Sequence, residues 1–186
     1  KIILAGFGYL GKFIEQQAGF NEKKLLYKLS RNPDRHHNGF GKHVEVDFDK
    51  EEFDITEILD ESTIIYMAPP NKDRDRDPRL ENFLNNTKKS NIEKIVYIST
   101  SGVYGDCDGS SVTENAELKP LTNRAKKRVV AEKMIMEYSA VNNTNYVILR
   151  VPGIYGLGRL PLSKIREREP LIIKDECKIT NLINVE

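Results

Sequence analysis

Short apolar runs rich in β-branched residues alternate along the chain with segments whose apolar positions recur every three or four residues. The runs Ile2–Ala5, Lys24–Leu29, Thr63–Ala68, Lys94–Ser99, Tyr146–Val151 and Leu171–Lys174 read as strands. The first, third, fourth and fifth of them are nearly continuous in apolar residues, as expected of parallel strands buried on both faces. Between them, Leu80, Phe83, Leu84 and Thr87 mark the apolar stripe of one helix, and Val130, Met134 and Tyr138 that of another. Strand and helix in this alternation imply right-handed crossovers and an α/β fold with a doubly wound parallel sheet.

The composition narrows the function classes. With 186 residues, 39% hydrophobic and 31% charged, the chain can build one sizeable core and not two comfortable ones. A net charge of +1 offers no general attraction to nucleic acid or to an anionic membrane. No apolar stretch is long enough for a leader or a membrane span, and a chain starting at Lys1 is expected to lack a residue or more ahead of it. Cys107 and Cys177 are too sparse for a disulfide framework, which fits a reducing cytoplasm. Lys72 to Arg79 alternates in charge and reads as a solvated loop before a helix. In Lys126-Lys127-Arg128 a helix would spread the three charges around its axis instead of forming one patch. His36, His37 and His43 lack accompanying Cys or carboxylate ligands, so no metal site is expected.

Candidate chemistry begins at Gly6-Phe7-Gly8-Tyr9-Leu10-Gly11, which follows the first strand directly and opens a helical segment beginning near Lys12. In a dinucleotide cradle Gly6 would allow the tight turn, Gly8 would let the backbone approach a pyrophosphate, and Gly11 would let helix and strand pack closely. The helix N-terminus would then face the phosphates. The bland alternative is a plain strand-to-helix turn. An acidic residue about twenty positions past such a motif would bind the ribose 2′-hydroxyl of NAD. Here Arg31 stands at that point, preceded by Ser30. A carboxylate would repel a 2′-phosphate, whereas a guanidinium and a hydroxyl would receive it, so NADP(H) is expected over NAD(H). The alternative for Arg31 is a surface charge in the Asn32-Pro33 turn. Asp47, after the short run Val44–Val46, is either an acceptor for the adenine or an ordinary loop residue.

Four stretches together resemble the extended or atypical short-chain dehydrogenase/reductase superfamily, which includes nucleotide-sugar epimerases and dehydratases. They are the glycine motif, Tyr66-Met67-Ala68-Pro69-Pro70, Ser99-Thr100-Ser101-Gly102-Val103-Tyr104-Gly105, and Leu149-Arg150-Val151-Pro152-Gly153-Ile154-Tyr155-Gly156. The resemblance covers nearly the whole chain, although family members normally carry TGxxGxxG in the first motif, which points to an atypical branch. It implies a Rossmann domain over 1–156, and over 157–186 the start of a substrate-binding part that is incomplete. It also implies that the main chain at Ala68 and Pro69 runs along the cofactor, that Thr100 is the catalytic Ser or Thr, and that Pro152, Gly153 and Ile154 lie beside the nicotinamide. Thr100 follows an apolar strand at the sheet edge where ligands gather, and its hydroxyl can donate to a substrate oxygen or merely cap the strand.

The departure from the family lies ahead of Ala131-Glu132, where its Tyr-x-x-x-Lys is replaced by Arg124 and Arg128. Arginine stays charged and cannot act as a base. Arg128 could contact the ribose or a substrate anion and Arg124 a carboxylate or phosphate; both could equally be surface charge. Two function classes follow. One is an NADP(H)-dependent oxidoreductase or epimerase-like enzyme acting on a small molecule, its proton supplied by Tyr155, Tyr104 or water. The other is a cofactor-binding sensor or scaffold with little or no turnover. The resemblance further implies a homodimer formed through the helices near 80–90 and 124–138.

Overall fold

The computed structural model of the chain describes residues 1–17, 25–32, 39–71, 76–160, 162, 166–167 and 180–186. The elements, in chain order, are β1 (Ile2–Ala5), α1 (Tyr9–Gln17), β2 (Leu26–Ser30), β3 (Lys42–Glu45), α2 (Thr56–Leu59), β4 (Ser62–Tyr66), α3 (Pro78–Thr87), β5 (Ile92–Thr100), a 3₁₀ turn (Ser101–Tyr104), α4 (Asn123–Asn142), β6 (Asn145–Val151), β7 (Gly153–Tyr155) and β8 (Leu182–Asn184). Six strands form one parallel sheet in the order β3-β2-β1-β4-β5-β6. The chain winds outward from β1 to β3, returns to β4, and winds outward again to β6, so the winding reverses between β1 and β4. In an open α/β sheet a ligand crevice opens at the carboxyl ends of the strands flanking that reversal.

The parallel-sheet expectation holds, and the details correct several readings. α1 starts at Tyr9 rather than near Lys12, inside the glycine motif itself. The run at Val44–Val46 belongs to a strand of its own, β3, and the short parallel pair β7-β8 is a second sheet that the pattern did not signal. β6 is not buried on both faces: Tyr146, Val147 and Leu149 are 44%, 40% and 43% exposed, because among the described residues it is an edge of the sheet. The expected strand Leu171–Lys174 lies outside the described residues.

α3 buries Leu80, Phe83, Leu84 and Thr87 as its spacing predicts. On α4 the buried stripe is rotated from Val130, Met134 and Tyr138 to Ala131, Ile135 and Tyr138, and Val130 is exposed. Arg128 and Glu132 occupy that same stripe, and charged residues on the inner face conceal it from hydropathy periodicity. The main core packs one face of the sheet against these helices through Ile3, Ile64, Tyr66, Phe83, Ile95, Tyr97 and Ile135, and a smaller cluster of Leu4, Phe7 and Leu26 lies on the opposite face.

Candidate functional site

The local fold explains the glycines one by one. Gly6 has φ +81°, and a Cβ there would lie 2.5 Å from the amide nitrogen of Ala68, so the ends of β1 and β4 touch where only hydrogen fits. A Cβ on Gly11 would lie 2.7 Å from the Phe7 ring, which is the close packing expected of the third glycine. Gly8 differs: the nearest protein atom to a Cβ there is the Gly6 carbonyl oxygen at 3.8 Å, and its φ is not in the left-handed region. No contact among the described residues requires glycine at this position, and the space that a side chain would fill faces the crevice.

Two cavities meet at this motif. The first, about 260 Å³, is lined by Gly6, Phe7, Gly8, Ser30, Arg31, Asn32, Val46, Asp47, Phe48, Ala68, Pro69 and Arg79. The second, about 630 Å³, includes Tyr9, Leu10, Gly11, Thr100, Arg124, Arg128, Pro152, Gly153, Ile154 and Arg159, and shares Gly6, Gly8 and Pro69 with the first. Every residue expected at the cofactor therefore lines one cavity or the other.

Around the first cavity the charges are paired. Asp49 sits behind the wall and accepts two hydrogen bonds from Arg79, Nε at 2.8 Å and Nη2 at 2.7 Å, and a longer one from Arg31 Nη1 at 3.3 Å. Arg79 holds the Asp49 carboxyl below the usual carboxylate range, and its remaining Nη1 donates to the Pro69 carbonyl at 3.1 Å. The Arg31 side chain is more than half exposed. Ser30 Oγ shares a 2.8 Å hydrogen bond with His43 Nε2, and Asp47 accepts from the Asp49 amide at 3.1 Å. The charge run before α3 is not a solvated loop where it is described: Asp77 is wholly buried and Arg79 lines the cavity.

The second cavity is built on the ends of β5 and β6 and the first turns of α4. Thr100 caps the 3₁₀ turn, its Oγ1 accepting from the Gly102 amide at 3.3 Å, and faces the cavity at the same time. Arg128 is buried and donates from Nη1 to Tyr97 Oη at 2.7 Å. Burial pushes the Tyr97 hydroxyl up to about 12, so it remains a neutral phenol. Arg124 is exposed on the rim. Below them Glu132, 1% exposed, accepts from Ser99 Oγ at 2.5 Å and from Arg150 Nη2 at 2.9 Å, while Arg150 Nη1 donates to Tyr104 Oη at 2.9 Å. The Glu132 carboxylate holds the Arg150 guanidinium still more firmly protonated than usual.

Tyr155 ends β7, is 39% exposed, and is not among the residues lining either cavity; Tyr104 is engaged with Arg150. His43 takes part in the Ser30 contact, His36 and His37 lie outside the described residues, and no group of metal-ligating side chains occurs among the described ones. Sequence reading missed Arg79, Arg159 and the Ser99-Glu132-Arg150 network. Only the last had a signal, because Glu132 and Arg150 both stand in motifs already singled out.

A crevice at the winding reversal, a glycine turn at its centre and a cavity on each side define a Rossmann domain of the short-chain dehydrogenase/reductase kind. The chain belongs to the NAD dependent epimerase/dehydratase family, whose model matches residues 2–174. It is 33% identical over 82 residues to an uncharacterized UDP-glucose epimerase, YtcB, of Bacillus subtilis, a match covering 44% of this chain and 26% of that protein. A UDP-arabinose 4-epimerase of Arabidopsis thaliana is 28% identical over 82 residues, covering 41% of this chain and 20% of that one. Matches to the curated relatives span only 19% to 26% of their length. The fold is that of the UDP-glucuronic acid 4-epimerase of Bacillus cereus, solved with UDP-glucuronic acid and NAD: TM-score 0.80 at 19% identity, over 99% of this chain and 69% of that one. No helix among the described residues is long and apolar enough to cross a membrane.

Proposed function

We propose that this chain is the cofactor-binding part of an NADP(H)-dependent oxidoreductase or epimerase-like protein that acts on a sugar-nucleotide-like substrate with a reacting hydroxyl or carbonyl. The observation carrying this reading is the shape of the crevice: two cavities joined at Gly6 and Gly8, as a molecule made of two nucleotides joined by a pyrophosphate requires. The open space at Gly8 is the fit such a group needs, and the α1 N-terminus supplies amide donors to it. Ser30, Arg31 and Asp47 would receive the adenosine end, with Arg31 and Arg79 as the cations for a 2′-phosphate. Ala68, Pro69, Tyr9 and Leu10 would follow the chain of the cofactor, and Pro152, Gly153 and Ile154 would border its nicotinamide, which supplies hydride-transfer chemistry when bound.

Thr100 is the hydroxyl placed to donate to a substrate oxygen in the second cavity, and Arg124 and Arg128 are the cations placed to orient the substrate. Tyr155 would supply the proton only if β7 moved toward this cavity. A sensor or scaffold reading is favoured by one observation: among the described residues Tyr9 is the only tyrosine lining the second cavity, and it belongs to the glycine turn rather than to the Thr100 end. The relatives' sugar-nucleotide names favour the enzyme. A cytoplasmic homodimer through α3 and α4 completes the reading.

The test combines binding and turnover in the full chain. Fluorescence titration is expected to show saturable NADPH binding. Adding UDP-glucose or UDP-glucuronate to the NADP⁺-loaded protein is then expected to change the absorbance of the nicotinamide. Binding without any such change would select the sensor or scaffold, and absence of binding to either nicotinamide cofactor would dismiss both.

A further inference from the structure

The second cavity has a charge imbalance that the cofactor does not account for. Among the described residues its lining includes three arginines, Arg124, Arg128 and Arg159, and no Asp or Glu. Arg128, 6% exposed, uses one donor on Tyr97 and retains others. Arg159 lies 4.0 Å above the centre of the Tyr9 ring, at the phosphate turn. Arg124 forms no ion pair or hydrogen bond among the described residues, and it stands in the first turn of the 20-residue helix α4, which contains no acidic residue there. A cation is disfavoured at a helix N-terminus, where the peptide dipoles already present positive charge. Such a placement is stable when an anion arrives between the two. A cofactor pyrophosphate at Gly6–Gly11 would be met by the α1 N-terminus and Arg159, leaving Arg124 without a counter-charge among the described residues.

We infer that the substrate presents an oxyanion, a carboxylate or a phosphate, at the end that enters this cavity beside Thr100, and that Arg124 is the specificity-determining residue that grips it, with Arg128 behind. This rests on the reading that the second cavity holds the nicotinamide end of the cofactor. The forked donors of a guanidinium match the two oxygens of either group, and a neutral sugar carbon would leave Arg124 covered without a partner.

The experiment uses the full chain saturated with NADPH and follows the fluorescence of the bound nucleotide as malonate, inorganic phosphate or the neutral malonamide is added. Saturable binding of at least one anion, with malonamide at least tenfold weaker, is expected. Arg124→Gln should weaken the anion by about tenfold to a hundredfold, the range of a lost charge-assisted contact. It should leave the NADPH affinity within about twofold of the original, because Arg124 stands on α4 and is no part of the glycine turn. Lys126→Gln, exposed on the same helix, should change neither. The tighter of malonate and phosphate identifies which oxyanion the site prefers. Intact NADPH binding with no preference for anion over malonamide, or with anion affinity unchanged in Arg124→Gln, would overturn the inference and leave the proposed function standing. Failure to bind NADPH or NADH would overturn both.

Discussion

The two cavities use arginine in opposite ways. At the first cavity Arg31 and Arg79 converge on one carboxylate, Asp49, and Asp47 lines the same wall, so its charges are matched before any ligand arrives. At the second cavity the carboxylate of Glu132 is beneath the floor and is held by Arg150 and Ser99, while Arg124 and Arg159 have no acidic partner among the described residues. A paired guanidinium is already positioned and can be partly redirected to a ligand phosphate. An unpaired one stores an attraction that only a ligand satisfies. Cofactor choice should therefore depend on a modest difference of affinities at the first cavity, and anion capture on a larger one at the second.

Gly6, which both cavities share, should give the largest effect when changed. Gly6→Ala forces a positive φ on an L-residue and drives a Cβ into Ala68. The expected loss is about 4 kcal/mol of stability, with cofactor binding abolished in whatever folds, measured by urea unfolding and NADPH titration. Unchanged binding would show that the glycine turn is not the phosphate site. Glu132→Gln separates the cavities: Arg150 loses a nearly inaccessible counter-charge, at a cost of about 3 kcal/mol. Anion binding in the second cavity should suffer more than the ratio of NADPH to NADH affinity. Equal damage at both ends would mean that the two regions are not independent.

Asp49→Asn converts the first cavity into the unpaired kind. NADPH should bind more tightly by about 1 kcal/mol, the scale of a screened charge pair, with NADH unaffected. Weaker NADPH binding would show that Asp49 is needed to aim the arginines rather than competing for them. The smallest effect is expected at Asp77, wholly buried, whose carboxyl burial pushes above its usual range. A raised pKa means that its contribution to stability is complete below the unfolded value, near 4, and is lost as the pH rises through the folded one. Asp77→Asn should therefore raise the Tm at pH 7 and converge with the original as the pH falls below 4. A penalty at pH 7 would mean that Arg128 and Arg79 depend on that charge.

The parts of this molecule legible from sequence are those where one residue type has one job. Gly6 and Gly11 could be assigned because backbone geometry demands them, and the four buried positions of α3 because nothing polar interrupts their spacing. The inner face of α4 was misplaced because Arg128 and Glu132 point inward, and the sequence does not say that a charged side chain has a partner on another strand. Arg79 was missed for the same reason: its partner, Asp49, is 30 residues away. β6 was misread because an apolar run marks a strand without telling whether anything covers it.

The central claim is that the glycine turn holds a dinucleotide and that Arg31 biases it toward the 2′-phosphate. Calorimetric titration of the full chain and of Arg31→Asp with NADPH and NADH tests it most directly. Tighter NADPH than NADH binding is expected in the original chain, and a reversal in the variant, as about 1.4 kcal/mol or more of phosphate attraction becomes repulsion. Equal affinities for the two cofactors in both proteins would contradict the assignment of Arg31, and no binding of either would reduce Gly6–Gly11 to a turn between a strand and a helix.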